Sequence, residues 1–164
     1  MQSAEPFAPA GEPWVRVSRR LVTLRRLVLV AVAVPVAAAG VAVTASVAPP
    51  WVPVVVGLLA VAALAWGWVL VGRAVGAWGY AERDEDLLVT RGILLRQLVV
   101  VPYGRMQFVD VTAGPLDRRF GLATVQLHTA AAATDARIPG LVPAEAARLR
   151  DRLAARGEAG SAGL

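Results

Sequence analysis

The chain has 164 residues, 57% of them hydrophobic, with a net charge of +5 and a mean hydropathy of +0.57. Residues 27–72, 46 in succession, contain no Asp, Glu, Lys or Arg, which excludes a purely soluble globule and a disordered chain. All 17 basic residues are Arg and cysteine is absent, so disulfides, thiol catalysis and thiolate metal sites are excluded as well.

In chain order, residues 1–13 are rich in Pro, Ala and acids and read as a disordered tail. Residues 14–26 form a basic juxtamembrane segment in which Arg16, Arg19, Arg20, Arg25 and Arg26 outnumber the upstream Glu5 and Glu12. The mixture of arginines with Val15, Val17, Leu21 and Leu24 suits a short interfacial helix whose arginines snorkel to headgroups. Two apolar stretches follow, 27–47 and 51–71, each 21 residues long. At about 1.5 Å per residue, each covers a hydrocarbon core of roughly 30 Å. Ala48-Pro49-Pro50 breaks the run, so residues 27–75 are predicted to form a two-helix transmembrane hairpin. Small residues at 37–40, Gly57 and Ala60 favour close helix packing. Neither span holds an ionisable residue, which argues against a proton or ion pathway.

Trp14, Trp51 and Trp78, with the five arginines and Arg73, are the expected membrane-interface residues. The turn between the spans carries no positive charge, whereas arginines flank the hairpin on both sides. The positive-inside rule therefore places both termini in the cytoplasm, with two spans in the inner (plasma) membrane and anionic headgroups as lipid partners. Ser18-Arg19-Arg20-Leu21-Val22 also resembles the start of a twin-arginine export signal. Thr23 and Leu24 depart from that pattern, and a second full apolar span follows at once.

After Arg73 the pattern becomes strand-like. Predicted strands cover Trp78–Arg83, Leu87–Arg91, Ile93–Val101 and Gln107–Thr112, with turns at Asp84–Asp86 and Gly114-Pro115. Leu116–Gly121 reads as a helical turn or loop. Thr124–Thr129 alternates, with Val125 and Leu127 on one face and Gln126 and His128 on the other. Ala130–Ala136 is a small-residue loop and Arg137–Ile138 a short extended piece. Pro143 opens a helix with Ala146, Leu149 and Leu153 on one stripe, stopping at Gly157. Residues 76–156 thus form one small domain, a bent sheet or barrel capped by a helix, and 157–164 a disordered tail.

Particular segments of this domain resemble a known family. Leu88-Val89-Thr90-Arg91-Gly92-Ile93-Leu94 is similar to the opening of the YdbS-like bacterial pleckstrin-homology (PH) domain. Val101-Pro102-Tyr103-Gly104-Arg105-Met106-Gln107 and Gly114-Pro115-Leu116-Asp117-Arg118-Arg119-Phe120-Gly121-Leu122 match two further signatures of that family. Val17-Ser18-Arg19-Arg20-Leu21 resembles the segment before its hairpin. The resemblance covers Val15 to Arg156. It implies a membrane helical hairpin plus a mainly-β PH-like barrel of two bent antiparallel sheets capped by a C-terminal helix. It also implies a cytoplasm-facing module without established catalysis, in complex with a related PH-domain membrane protein or a second copy.

The chemistry-bearing residues favour the same reading. His128, the sole histidine, has no Ser or Cys nucleophile between Trp78 and Arg156, so it reads as a rim residue, and no catalytic residue is assigned. Glu82, Asp84, Glu85 and Asp86 lack an EF-hand pattern and read as a solvated turn, so neither a metal nor a cofactor is expected. PH domains that bind phosphoinositides place basic residues in their first hairpin loop; an acidic loop argues against that ligand here. Arg118 and Arg119 are candidates for contact with headgroups or a partner, against a structural pairing with Asp117 or Asp110. Arg105 divides in the same way. No recognition motif for nucleic acid appears. The expected function is a non-catalytic, membrane-anchored interaction or scaffold protein; the alternative is an accessory subunit of an export or envelope-defence complex.

Overall fold

A computed structural model describes residues 13–129 and 135–162; the expected tail at 1–13 and the loop at 130–136 fall almost wholly outside them. The chain divides into two compact units, residues 22–73 and residues 1–21 with 74–164.

The first unit is built on two long helices, α1 (Arg20–Val47) and α2 (Trp51–Gly76), whose ends pass into the other unit. Pro49-Pro50 separates them because neither residue can donate to a preceding turn. Apolar side chains stand exposed all round: Val32, Trp51, Leu58 and Trp66 are each more than 60% accessible. A helix apolar on every side needs an apolar solvent, and both helices are long enough to cross a bilayer. Their few polar groups are satisfied internally, Thr44 Oγ1 donating to the Gly40 carbonyl at 2.8 Å and Ser46 Oγ to Val43 at 2.8 Å. Glycines set the approach of the pair. A Cβ at Gly40 would lie 3.6 Å from Val56, one at Gly57 3.8 Å from Val41, and one at Gly67 3.2 Å from Leu29.

The second unit holds two antiparallel sheets. The first has the order β1 (Val15–Arg16), β2 (Gly79–Glu82), β3 (Asp86–Arg91), β4 (Gln97–Pro102). A 3-10 turn, Tyr103–Arg105, leads to the second: β5 (Met106–Thr112), β6 (Ala123–Thr129), β7 (Ala136–Leu141). The short helix α3 (Pro115–Arg119) joins β5 to β6, and α4 (Pro143–Ala162) packs on the 3-10 turn, β5 and β6. No ladder joins the two sheets into a closed barrel among the described residues. The core combines Tyr80, Leu87 and Val101 of the first sheet with Val125, Leu127 and Ile138 of the second and Ala146, Leu149 and Leu153 of α4, all nearly inaccessible.

The helix–sheet pattern follows the sequence, with four differences. Residues 14–26 are not one separate helix. Val15 pairs with Tyr80 and Arg16 with Gly79, Val17 is buried, and α1 begins at Arg20, seven residues before the expected span. Residues 93–96 are a hairpin tip rather than strand, because Gly92 takes φ +98° and turns the chain so sharply that a Cβ would collide with the Leu95 carbonyl. The extended piece at 137–138 grows into the whole of β7. Its Pro139 is tolerated because β7 is an edge strand. Gly157 does not end α4: it remains helical, a Cβ there would lie 3.7 Å from the Tyr103 carbonyl, and the helix runs on to Ala162 through most of the expected tail.

Candidate interaction surfaces

Arg148, Arg152 and Arg156 recur every fourth residue of α4 and so form one stripe beside Leu149 and Leu153. They meet the acids of the β2–β3 turn. Glu82, with a side chain 13% accessible, accepts from Arg148 Nη2 at 2.8 Å and from Arg152 Nη1 at 3.0 Å. Arg148 also donates to Glu145 at 2.6 Å, and Glu145 accepts from the Tyr80 hydroxyl at 2.8 Å. Burial opposes ionisation of Glu82, but the two guanidiniums outweigh it and hold the carboxyl below its ordinary range. Hydrogen bonding from Arg148 does the same for Glu145, against a smaller effect of burial. Burial, and then the hydrogen bond to Glu145, push the Tyr80 phenol upward.

A second cluster closes the same face. The Tyr103 hydroxyl donates to the Arg83 carbonyl at 3.0 Å. Arg156 donates to that carbonyl and to the Tyr103 oxygen, and its guanidinium lies 5.1 Å from the Tyr103 ring centroid. It also approaches Asp84 at 3.8 Å, while Arg83 approaches Asp86 at 4.0 Å. The turn is thus solvated at Asp84 and Glu85, as expected, whereas Glu82 at the end of β2 is largely buried against arginines. Among the described residues no three His, Asp or Glu side chains converge as a metal-ligand set. The most strongly shifted groups clamp a helix; they do not converge on a cavity.

Arg118 and Arg119 are exposed on α3. The expected pairing with Asp117 or Asp110 is not formed among the described residues; Asp117, the third residue of α3, instead accepts the Gly114 N–H at 3.2 Å through Oδ2 and caps the helix. Arg105 is exposed at the other end of β5, roughly 20 Å away by strand rise, so the three arginines do not converge. His128 stacks on Phe108 across the β5–β6 ladder, 4.3 Å between centroids, with Nδ1 3.5 Å from Asp135.

The expected interface residues divide between the units. In the sheet unit, Arg16 Nη1 donates to the Gly76 carbonyl at 2.9 Å, Arg19 and Arg20 are exposed, and Trp14 and Trp78 are half-buried. In the helical unit, the Arg26 guanidinium lies 4.5 Å from the Trp68 ring centroid, Trp51 and Arg73 are exposed, and Arg25 is partly so.

The sheet edges supply a surface that residue motifs did not single out. β4 and β5 each have one ladder neighbour among the described residues, so each presents an open edge. Phe108, Val111 and Val100 stand exposed along them. A groove of about 390 Å³ runs between Met106–Val109 of β5 and Arg150, Leu153, Ala154 and Gly157 of α4. Its apolar floor and open backbone suit an added strand or helix.

Comparison with known proteins bears on this arrangement. The family model described as "Bacterial PH domain" matches residues 17–157. The UPF0699 transmembrane protein YdbS of Bacillus subtilis (strain 168) is 41% identical over 76 residues, which are 46% of this chain and 46% of that protein. The chain thus aligns with less than half the length of that relative. No solved structure matches.

Proposed function

The chain belongs to the bacterial PH-domain family and is a membrane protein with two spans, and from that premise we propose that it is a non-catalytic interaction protein. In this reading it works at the cytoplasmic face of the inner membrane and binds a related PH-domain membrane protein or a second copy of itself. The observation that carries it is the open, apolar β5 edge beside the groove against α4, with Phe108 52% accessible. The strongly shifted titratable groups speak against catalysis, since they are engaged with one another in the clamp on α4. Sheet pairing supports the topology. Val15 precedes the first span, Tyr80 follows the second, and the two are ladder partners, which supports both flanks lying on one side. The surplus of flanking arginines favours the cytoplasm as that side.

The test is cross-linking and co-purification of the full-length tagged chain in mild detergent. The wild type is expected to bring down a second PH-domain membrane protein or further copies. Phe108→Arg is expected to reduce recovery about tenfold, the loss of one well-placed apolar anchor, while lowering stability by no more than about 1 kcal/mol through the lost stack on His128. A monomer without a membrane partner overturns the reading.

A further inference from the structure

We propose that the β3–β4 hairpin tip, Ile93-Leu94-Leu95, is a lipid-contact site that dips into the headgroup boundary of the bilayer holding the two spans. Leu94 is 96% and Leu95 81% accessible, the two most exposed large apolar residues among the described residues of the sheet unit. They are presented on a fixed turn. Gly92 has φ +98°, the Arg91–Gln97 pair closes the ladder beneath, and Arg91 Nε donates to Gln97 Oε1 at 3.1 Å.

Three features select a lipid surface as the occupant. Arg91 and Arg96 flank the apolar tip, so it offers cations at headgroup level and hydrocarbon beyond them. Charge is polarised along the hairpin: Asp84, Glu85 and Asp86 lie at the opposite end of β3, roughly 17 Å away by strand rise. The base of the tip shares a hollow with Ala74 and Trp78. Ala74 is the residue directly after Arg73, where the chain leaves the helical unit, so the base of the tip adjoins the point at which the chain enters the sheet unit. Trp78 adds an aromatic ring suited to the same depth.

The inference rests on the two-span membrane reading, and the experiment separates the two. The chain has no cysteine, so single cysteines can be introduced and labelled in the full-length protein. Leu94→Cys reports the tip, Val43→Cys the end of the first span, and Asp151→Cys the exposed face of α4. Each carries a polarity-sensitive fluorophore in vesicles of phosphatidylcholine and phosphatidylglycerol doped with lipid spin-labelled near the glycerol. Quenching at Leu94 and Val43 is expected to exceed that at Asp151 several-fold. A quenched Val43 with an unquenched, iodide-accessible Leu94 overturns the proposal and leaves the spans intact. A Leu94 probe shielded from iodide yet unquenched by lipid also overturns it, since protein then covers the tip. An unquenched Val43 overturns the membrane reading itself.

Discussion

Glu82 joins the first sheet to the C-terminal helix through two guanidiniums, and its charge is what makes that joint. Glu82→Gln is expected to lower the stability of the sheet unit by about 1–2 kcal/mol, because the arginines stay hydrated and screen part of the loss. Thermal melting checks it. The same groups set a pH dependence. Glu82 and Glu145 ionise below their ordinary 4.5 in the folded state, so the native protein binds fewer protons than the unfolded chain. Their contribution is complete above pH 4.5 and is lost as pH falls through the lower folded-state values. Tyr80 is shifted the other way, from an ordinary 10.0 upward, so its contribution holds below pH 10.0 and fails as pH rises further. Stability should plateau between those limits, with the acid limb shallower in Glu82→Gln. An acid limb unchanged by that substitution would place the titration elsewhere. The clamp was partly legible: the four-residue spacing of Arg148, Arg152 and Arg156 and the acids of the turn are both plain in the sequence. Their pairing is not, because it spans more than sixty residues and depends on how α4 crosses the sheet.

At the scale of elements, periodicity was a sound guide wherever one face is buried. The stripe Ala146, Leu149, Leu153 and the alternation Val125, Leu127 both lie in the core. Leu149→Ala should cost about 2–5 kcal/mol by leaving a cavity at a fully buried position, read as a lower melting temperature. The elements that escaped sequence reading are those governed by glycine and by distant pairing. Pro139-Gly140 looks like a break, yet Gly140 keeps β7 in place by taking φ +74° and accepting the Ser18 N–H at 2.9 Å. A Cβ there would come within 2.7 Å of Leu21 Cδ2 and 3.0 Å of Leu21 Cβ. Gly140→Ala should therefore destabilise the unit by about 1–3 kcal/mol, and a neutral result would show that the N-terminal segment does not seat there. β1 has only two residues and borrows its order from β2, so no local pattern announces it.

For the molecule as a whole, the proposed topology makes an accessibility prediction. Ala48→Cys in the turn between the spans should react with a membrane-impermeant maleimide in intact cells. Asp151→Cys should react only after lysis. The opposite pattern would reverse the orientation and move the sheet unit to the other face. The hydrophobic run announced the two spans because hydrocarbon tolerates little else, whereas the open edges beside the groove became visible only once strand order was known.

The pairing of Val15 with Tyr80 also constrains biogenesis. The two partners are separated by the whole helical hairpin, so the first strand of the sheet is synthesised well before its neighbour exists. At about 5–20 residues per second, the interval is on the order of 3–13 s. During that time the leading strand has nothing to pair with, and both helices must enter the bilayer. If only one of them inserts, the two strands end on opposite sides and β1 cannot join the edge of its sheet. Correct insertion is then a precondition of completing the sheet, and a chain that fails it leaves the β2 edge without its partner strand.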